Sequence, residues 1–310
     1  MLHQIIDIHE EGLFISLHRG FLVVKNRDTD VGKVSLDDIG VLIISAQGAT
    51  ITKNVLSELS ERGVIIVLCG SNYAPVSITY PVENNYRFCG IIKKQIQAST
   101  PVLKQCWKVI IKAKLENQSK VLLYSGNKAD SNKLLLISET VKSGDSDNRE
   151  GYGAKMYFPS LFGKGFVRDR NEAGINAFLN YGYAVIRSSM IKALVSSGLQ
   201  PALGIHHAND LNPFCLADDF IEIYRPLVDV VVVKMLQKKK ELVELLPQDK
   251  QQLVKVLWIQ MITTQGKSPV FQSMYYLAQS YVKMLESKDY KLEIPVWEGK
   301  YEEIPETEQV

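Results

Sequence analysis

The sequence lacks the features that mark several classes of protein. No apolar run approaches the roughly 18 residues of a membrane-spanning helix, and the first residues, MLHQIID, include neither the basic nor the long apolar segment of an export signal. Four cysteines are spread over 310 residues without a Cys-x-x-Cys pair, which argues against a disulfide framework and a cysteine-rich zinc module. We therefore expect a soluble cytoplasmic protein with reduced thiols.

Several catalytic motifs are also missing. The chain has no Gly-x-x-x-x-Gly-Lys-Ser/Thr phosphate loop, no Gly-x-Gly-x-x-Gly after a strand, no Gly-x-Ser-x-Gly elbow and no His-Glu-x-x-His. It also lacks the combination of a His-x-Glu with a Pro-Cys-x-x-Cys that marks a nucleobase deaminase. These absences argue against a nucleotide-hydrolysing motor, a dehydrogenase, a serine hydrolase and a zinc protease.

The net charge is small but unevenly distributed. Lys and Arg number 36 and Asp and Glu 34, a sum of +2 that disfavours a nucleic-acid partner. Residues 1–80 carry −3 and residues 201–310 carry −4, so residues 81–200 carry +9. Such a basic segment can neutralise phosphates, and its Tyr and Phe residues can stack on bases. Solvated helix faces and core aromatics give the same pattern, so a protein-interaction module without nucleic acid stays open.

Two patterns of apolar residues divide the chain. Up to Pro81, runs rich in Val and Ile alternate with Gly and Asp turn signals, which predicts strands at 13–17, 21–24, 41–44, 64–68 and 76–80. A helix capped by Thr52 and ended by Gly63 interrupts them. Beyond about residue 84, the apolar residues follow a helical period.

These patterns predict an α+β protein with two domains. We expect a small β-rich amino-terminal domain at residues 1–83, a connector at 84–90 and a larger all-helical domain at 91–298. Residues 299–310 are acidic and contain a proline, which indicates a frayed tail.

A histidine pair near several acids is the first candidate site. His206 and His207 are adjacent, and Asp218, Asp219 and Glu222 follow shortly after them. On a helix, Asp219 and Glu222, or Asp218 and Glu222, would face the same way. One imidazole beside two carboxylates suits Mn²⁺ or Mg²⁺ when a further carboxylate folds in from elsewhere.

Glu150 is the candidate for that further carboxylate, because it stands alone among glycine and basic residues. A divalent ion at such a site can clamp phosphodiester oxygens and stabilise the transition state. The structural alternative is that Asp218 complements a helix dipole and that the histidines only stabilise a Pro-containing turn.

Four segments of the chain resemble the Cas1 family of CRISPR-associated integrases. They occur in the family's order: Glu150-Gly151 followed by Tyr157-Phe158, NAFLNYGY at 176–183, GLQPALGIHH at 198–207, and LADDFIEIYRPLVD at 216–229. The predicted β-rich then helical architecture extends the resemblance over nearly the whole chain.

The resemblance implies a metal-dependent DNA integrase and endonuclease. Such an enzyme inserts captured fragments as new spacers into a CRISPR array by attack of a 3′-hydroxyl on a phosphodiester. It implies that Glu150, His207 and Glu222 carry catalysis and bind Mg²⁺ or Mn²⁺, with Asp219 as an accompanying carboxylate and Arg225 near a phosphate. Register alone selects His207 over His206. A catalytically silent DNA-binding scaffold of the same fold is the alternative.

The resemblance also implies partners. These are double-stranded DNA, a second copy of the chain bound through the β-rich domain, and a small ferredoxin-like Cas2 subunit. The paired histidines are most similar to members from loci with a single large RNA-guided effector, so contact with that effector is left open. The candidates for DNA binding in the basic segment are Arg149, Lys155, Lys164, Arg168, Arg170 and Arg187.

Overall fold

A computed structural model describes residues 4–27, 29–70, 75–79, 88–169, 172–287 and 289–301. The elements, contacts and cavity of the structure all lie within these ranges. None of the helices in these ranges is long and apolar enough to cross a membrane.

The amino-terminal region folds into two four-stranded sheets. The first has the order β4-β3-β2-β6, formed by β2 (Leu13–His18), β3 (Phe21–Asn26), β4 (Thr29–Ser35) and β6 (Thr50–Ile51). The second has the order β1-β5-β7-β8, formed by β1 (Gln4–Ile8), β5 (Ile39–Ile44), β7 (Ile65–Cys69) and β8 (Pro75–Thr79). Strands β1, β5 and β7 are parallel, and α1 (Lys53–Glu61) lies in the crossover that the parallel pair β5 and β7 requires.

The second sheet is covered on both faces, which explains its continuous apolar strands. Every residue of β5 is buried. Val41 and Ile43 belong to the core of the helical region, whereas Leu42 and Ile44 pack with the first sheet and α1. Because neighbouring residues of a strand point to opposite faces, one apolar run serves both cores. This sheet therefore joins the two halves of the molecule.

Beyond residue 87 the described chain is mainly helical. Its helices are α2 (Phe88–Gln97), α3 (Thr100–Tyr124), α4 (Lys128–Glu139), α5 (Arg149–Phe162), α6 (Ile175–Ser196), α7 (Cys215–Ile221), α8 (Arg225–Lys239), α9 (Pro247–Val254) and α10 (Val270–Glu286). Helices α3, α6 and α8 contribute many fully buried side chains to one continuous core, among them Trp107, Phe178 and Leu227.

The predicted α+β class, with a strand-rich region before a helical one, is confirmed. Each of the five predicted strands is present, with ends within two residues of the prediction. Thr52 is the N-cap of α1 as predicted, although its side chain makes no capping hydrogen bond there, and Gly63 follows the helix with φ of +74°.

In the amino-terminal region, three of the described strands escaped prediction, namely β1, β4 and β6. Asp28-Thr29-Asp30 reads as a turn, but β4 begins at Thr29. This strand forms the edge of its sheet and is mostly exposed, so its sequence TDVGKVS lacks the apolar alternation of a half-buried strand. Strand β6 has two residues, too few for any pattern.

The expectation of an all-helical second region is wrong at one place. Strands β9 (Gln260–Thr263) and β10 (Gly266–Pro269) form an antiparallel hairpin within residues 91–298. Gly266 has φ of +98°, a conformation that favours glycine and permits the tight reversal. Val296 adds an isolated antiparallel bridge to Ile262. Backbone pairing between strands therefore decides the local structure here, although the surrounding sequence has a helical spacing of apolar residues.

The proposed domain boundaries stay a prediction. Helix α2 begins at Phe88, inside the predicted connector at 84–90, so helical structure starts three residues before residue 91. Residues 84–87 of that connector and residues 302–310 of the predicted tail lie outside the described residues. The first residues of the predicted tail contact the helical region, because Trp297 Nε1 donates a hydrogen bond to the carbonyl of Lys300 at 3.0 Å.

Candidate active site

A cavity of about 640 Å³ lies between α3, α5, α6 and α8 and the segment from His207 to Glu222. Its wall includes Glu150, His207 and Glu222, which come from three separate segments of the chain. Arg225 lines the same cavity. The structure therefore brings together the three predicted ligands and the predicted phosphate-binding arginine.

Local capping fixes the position of Glu150. Asn148, at φ of +50°, is the N-cap of α5, and its side-chain oxygen accepts a hydrogen bond from the Gly151 amide at 3.0 Å. The Asp145 carboxylate accepts two more, from the amides of Arg149 at 2.8 Å and Glu150 at 3.0 Å. These contacts satisfy three of the amides that a helix start leaves free. Glu150 thus enters the cavity from a rigid first turn.

His207 is oriented by Asp219, a carboxylate with no exposed surface. His207 Nδ1 lies 2.6 Å from Asp219 Oδ1, and the hydrogen bond raises the pKa of His207 above its ordinary value. Asp219 also accepts bonds from the amides of Ile205, His206 and His207 at 2.6, 3.0 and 3.2 Å. Because the carboxylate accepts, Nδ1 carries the proton and Nε2 remains for a metal or a substrate.

The loop that carries His207 tolerates little change. A Cβ on Gly204 would lie 2.2 Å from the His207 carbonyl oxygen, so the loop closes tightly only with glycine. The His206 ring stacks on Trp107 at 4.3 Å between centroids, while His207 meets the same indole edge-on at 5.7 Å. The two adjacent histidines therefore differ: His206 lies against the core, and His207 lines the cavity.

Glu222 is buried among cations. Its Oε1 lies 2.9 Å from an Arg225 nitrogen, and its Oε2 lies 2.5 Å from Lys114 Nζ. The same ammonium lies 2.6 Å from Glu150 Oε1. Burial alone would raise the pKa of Glu222, but the charges of Arg225 and Lys114 hold it below its ordinary value. Burial likewise opposes the charge of Lys114, and the two glutamates raise its pKa nonetheless.

The donors around the cavity suit a divalent metal, although Lys114 lies where the two glutamates converge. Among the described residues, no three His, Cys, Asp or Glu side chains lie close enough together to hold an ion. The ammonium of Lys114 lies 2.6 Å from Glu150 Oε1 and 2.5 Å from the buried Glu222 Oε2, so it occupies the point where an ion would meet both carboxylates. One imidazole nitrogen and two carboxylates are ligands that Mn²⁺ and Mg²⁺ accept.

A buried acid paired with two tyrosines lies in the cavity wall beside Arg225. The fully buried Asp229 accepts hydrogen bonds from Tyr157 at 2.8 Å and Tyr183 at 2.6 Å. Burial raises the pKa of Asp229 to about 6, although the two hydroxyls oppose this. The guanidinium groups of Arg168 and Arg225 each lie 5.2 Å from the Tyr183 ring centroid. Two cations are thereby placed on one aromatic ring at the cavity.

Two of the predicted DNA-binding residues line the cavity, Arg168 and Arg187. Arg168 donates to the side-chain oxygens of Asn176 at 2.9 Å and Asn180 at 2.6 Å. Arg187 grips Asp218 with two hydrogen bonds, of 2.6 and 2.8 Å. Asp218 is therefore chiefly the partner of Arg187, beyond any interaction with the dipole of α7.

Three more of the predicted DNA-binding residues, Arg149, Lys155 and Lys164, do not line the cavity. Lys155 and Lys164 are exposed, and Arg149 is half-buried with one nitrogen 3.8 Å from Asp147. Arg170 lies outside the described residues. The role of all six in DNA binding stays a prediction.

The helix-face argument for the second acid pair needs correction. Helix α7 ends at Ile221 and Glu222 is its C-cap, so Asp219 and Glu222 do not form one ligand pair on a continuous helix. Asp219 holds the His207 loop, whereas Glu222 meets Lys114 and Arg225.

Lys114 was not predicted as a site residue. It is one of the basic residues in the segment 81–200, where solvated helix faces would give the same charge pattern. The signal was its register on α3. Lys114 follows Trp107 by seven residues and lies beside Ile110, Ile111 and Leu115, all of them buried. A lysine at a core position of an amphipathic helix requires a partner for its charge.

Comparisons with known proteins agree on one family. A sequence model described as "CRISPR associated protein Cas1" matches residues 6–245. The CRISPR-associated endonuclease Cas1 of Neisseria meningitidis serogroup C (strain 8013) is 39% identical over 251 residues, covering 81% of this chain and 82% of that relative.

Two solved structures share the fold. A casposase bound to its integration product superposes with a TM-score of 0.77 at 19% identity, covering 93% of this chain and 92% of that one. A chain of a Cas6-RT-Cas1–Cas2 complex gives 0.76 at 16% identity, covering 94% of this chain and 36% of that one. A strand-rich region joined by a shared sheet to a helical region with an acidic and basic cavity is thus a Cas1-like fold. The chain belongs to the Cas1 family of CRISPR-associated proteins.

Proposed function

We propose that this protein is a metal-dependent DNA endonuclease and integrase that inserts captured DNA into a CRISPR array as new spacers. The observation that carries this proposal is the convergence of Glu150, His207 and Glu222 on one cavity. Membership of the Cas1 family supports it, because a relative is named as an endonuclease and a similar fold is titled a casposase bound to an integration product.

Glu150, Glu222 and Nε2 of His207 would hold Mg²⁺ or Mn²⁺. When bound, such an ion polarises a phosphodiester and stabilises the charge that develops on its oxygens. Asp219 keeps the His207 imidazole in the tautomer that leaves Nε2 unprotonated. Charged neighbours keep Glu222 ionised, as a ligand must be.

Arginines at the cavity would position the DNA. Arg225 and Arg168 present guanidinium groups beside Tyr183, and guanidinium binds phosphate with two parallel hydrogen bonds. In integration, the oxygen of an incoming 3′-hydroxyl bonds to phosphorus, and the bond from phosphorus to the 3′-oxygen of the target strand breaks. Attack by water instead gives hydrolysis at the same site.

The partners belong to the same proposal. We infer that the protein binds double-stranded DNA, pairs with a second copy through its β-rich region, and assembles with a Cas2 subunit. The similar fold within a Cas6-RT-Cas1–Cas2 complex supports the last of these. Contact with an RNA-guided effector, and a locus with a single large effector, follow only from the paired histidines, His206 and His207.

One observation favours a second candidate, a catalytically silent DNA-binding scaffold. Lys114 lies between the carboxylates, so the cluster of Glu150, Lys114 and Glu222 balances its charge without a divalent ion. In that case the cavity would bind DNA through its arginines and carry out no chemistry.

Strand transfer into a supercoiled plasmid carrying a CRISPR array tests the two candidates. With Mg²⁺ or Mn²⁺ and the Cas2 partner, we expect the wild type to join a DNA fragment to the plasmid and His207→Asn to lose this activity while still binding DNA. His206→Asn is the matched control, with a much smaller loss, since His206 stacks on Trp107. DNA binding without transfer by the wild type would establish the scaffold instead.

A further inference from the structure

Lys114 holds the place that the proposed function gives to a metal. Its ammonium lies 2.6 Å from Glu150 Oε1 and 2.5 Å from Glu222 Oε2. The side chain is only 9% exposed, so solvation does not account for its charge. A buried ammonium is tolerated only when it is paired, and here both partners are the carboxylates proposed as ligands.

The charges of the cluster are already balanced. Glu150 and Glu222 carry two negative charges, while Lys114 and Arg225 carry two positive ones. A divalent ion added to the same oxygens would lie close to the ammonium, and the two would repel strongly in a partly buried site. Ion and ammonium therefore compete for the same carboxylate oxygens.

The geometry allows the ammonium to leave. Lysine carries its charge on a flexible four-carbon stem, and Lys114 lines the cavity of about 640 Å³. Both of its partners are side-chain carboxylates, at 2.6 Å in Glu150 and 2.5 Å in Glu222, so it can leave without any change to the backbone. Arg225 can stay, because it meets the other oxygen of Glu222.

We propose that Lys114 is an internal competitor of the metal: its ammonium neutralises Glu150 and Glu222 while the ion is absent and withdraws when the ion binds. This inference rests on the proposed function, because it takes both glutamates as metal ligands. Lys114 thereby lowers the metal affinity of the site and neutralises the repulsion between its two carboxylates in the metal-free protein.

Mn²⁺ binding to the full chain, measured by calorimetry, tests the competition. In Lys114→Gln we expect the Kd for Mn²⁺ to fall at least about tenfold, equivalent to about 1.4 kcal/mol. We also expect the metal-free variant to melt at a lower temperature than the wild type and to be stabilised more by Mn²⁺. Lys120→Gln is the matched control on the same helix. Lys120 Nζ donates a hydrogen bond to the carbonyl of Trp297, so we expect this variant to leave the Kd for Mn²⁺ unchanged.

A Kd that stays the same or rises in Lys114→Gln overturns the inference, since it would make Lys114 a positioning residue for the ligands. Glu150→Gln separates this failure from failure of the proposed function. If Mn²⁺ binding to the wild type does not depend on Glu150, the metal site itself is wrong. If it does depend on Glu150 and Lys114→Gln binds no tighter, only the competition fails.

A measurement on the wild type covers the case in which Lys114→Gln does not fold. Amine-reactive labelling followed by mass spectrometry reports the accessibility of each lysine. We expect Mg²⁺ to speed the labelling of Lys114 severalfold relative to Lys53, an exposed lysine on α1. Unchanged or slower labelling of Lys114 at saturating Mg²⁺ would show that the ammonium stays in place.

Discussion

Asp219 and Glu222 are three residues apart and both buried, yet their surroundings differ completely. Asp219 accepts hydrogen bonds from three backbone amides and pairs with the His207 ring. Glu222 meets the side-chain cations Lys114 and Arg225. Backbone amides cannot withdraw without unfolding the loop, whereas side chains can rotate away. Asp219 therefore fixes the loop that carries His207, whereas Glu222 can exchange its Lys114 contact for another cation.

The first way to break this comparison is kinetic. Glu222→Gln should lower the rate of strand transfer by about 100- to 1,000-fold, because it would remove a charged ligand of the proposed metal. Asp219→Asn should cost about 10- to 100-fold, as expected for a group that only orients a ligand. Initial rates at saturating Mn²⁺ measure both, with equal DNA affinity as the control. A larger loss for Asp219→Asn would reverse the assignment of the two acids.

The second way is thermodynamic, and the order of the two acids should invert. Asp219→Asn should lower the free energy of unfolding by about 3 kcal/mol, because one neutral amide oxygen replaces two charged oxygens that accept from three backbone amides and contact the His207 ring. Glu222→Gln should cost less, about 2 kcal/mol, because the amide oxygen still accepts from Arg225 and Glu150 still pairs with the buried ammonium of Lys114. Urea unfolding in the presence of EDTA gives both values. Equal losses would mean that Glu222 is as structural as Asp219.

How far the sequence predicts this site depends on which of these roles a residue has. Glu150 stands out as a lone acid and His206-His207 as a pair near several acids, and the family resemblance selects Glu150, His207 and Glu222. The partner of a buried acid cannot be identified from the sequence in this way. Nothing in the spacing shows that Asp219 receives the amides of residues 205–207 while Glu222 receives Lys114, because both arrangements depend on how separate segments meet.

The fold follows the same division. Strand β5 was predictable since both its faces are buried and its run IGVLII is apolar throughout. Strand β4 was not, because an exposed edge strand needs little apolar surface. The hairpin of β9 and β10 was also missed, since pairing between short strands depends on the backbone more than on side-chain pattern.

Asp229 offers a third comparison, with an acid that is paired to hydroxyls. Burial raises its pKa from 3.8 to about 6, so the folded protein keeps a proton that the unfolded chain has already lost. Its contribution to stability is full below about pH 4 and disappears as the pH rises through 6. Relative to Asp229→Asn, the wild type should lose about 3 kcal/mol between pH 4 and 7. Urea unfolding across this range measures the difference, and a pH-independent difference would show that Asp229 has an ordinary pKa.

The last comparison concerns the loop that Asp219 holds. In Gly204→Ala the new methyl group would lie 2.2 Å from the His207 carbonyl oxygen and 3.1 Å from Asp219 Oδ2, so the loop must shift. Overpacking of this kind should cost about 2 kcal/mol. Gly90→Ala is the matched control, since a Cβ there meets nothing within 4 Å and alanine favours the helix by about 0.5 kcal/mol.

Gly204→Ala also tests the roles of Asp219 and Glu222 separately, without replacing either residue. A shifted loop should weaken Mn²⁺ binding through His207, while the contact of Lys114 with Glu150 and Glu222 remains. Thermal unfolding and Mn²⁺ titration of Gly204→Ala measure the two effects side by side. If the variant is destabilised but binds Mn²⁺ as the wild type does, then the loop contributes stability alone and His207 is not a ligand. If both fall together, the amides on Asp219 hold the imidazole where the metal needs it.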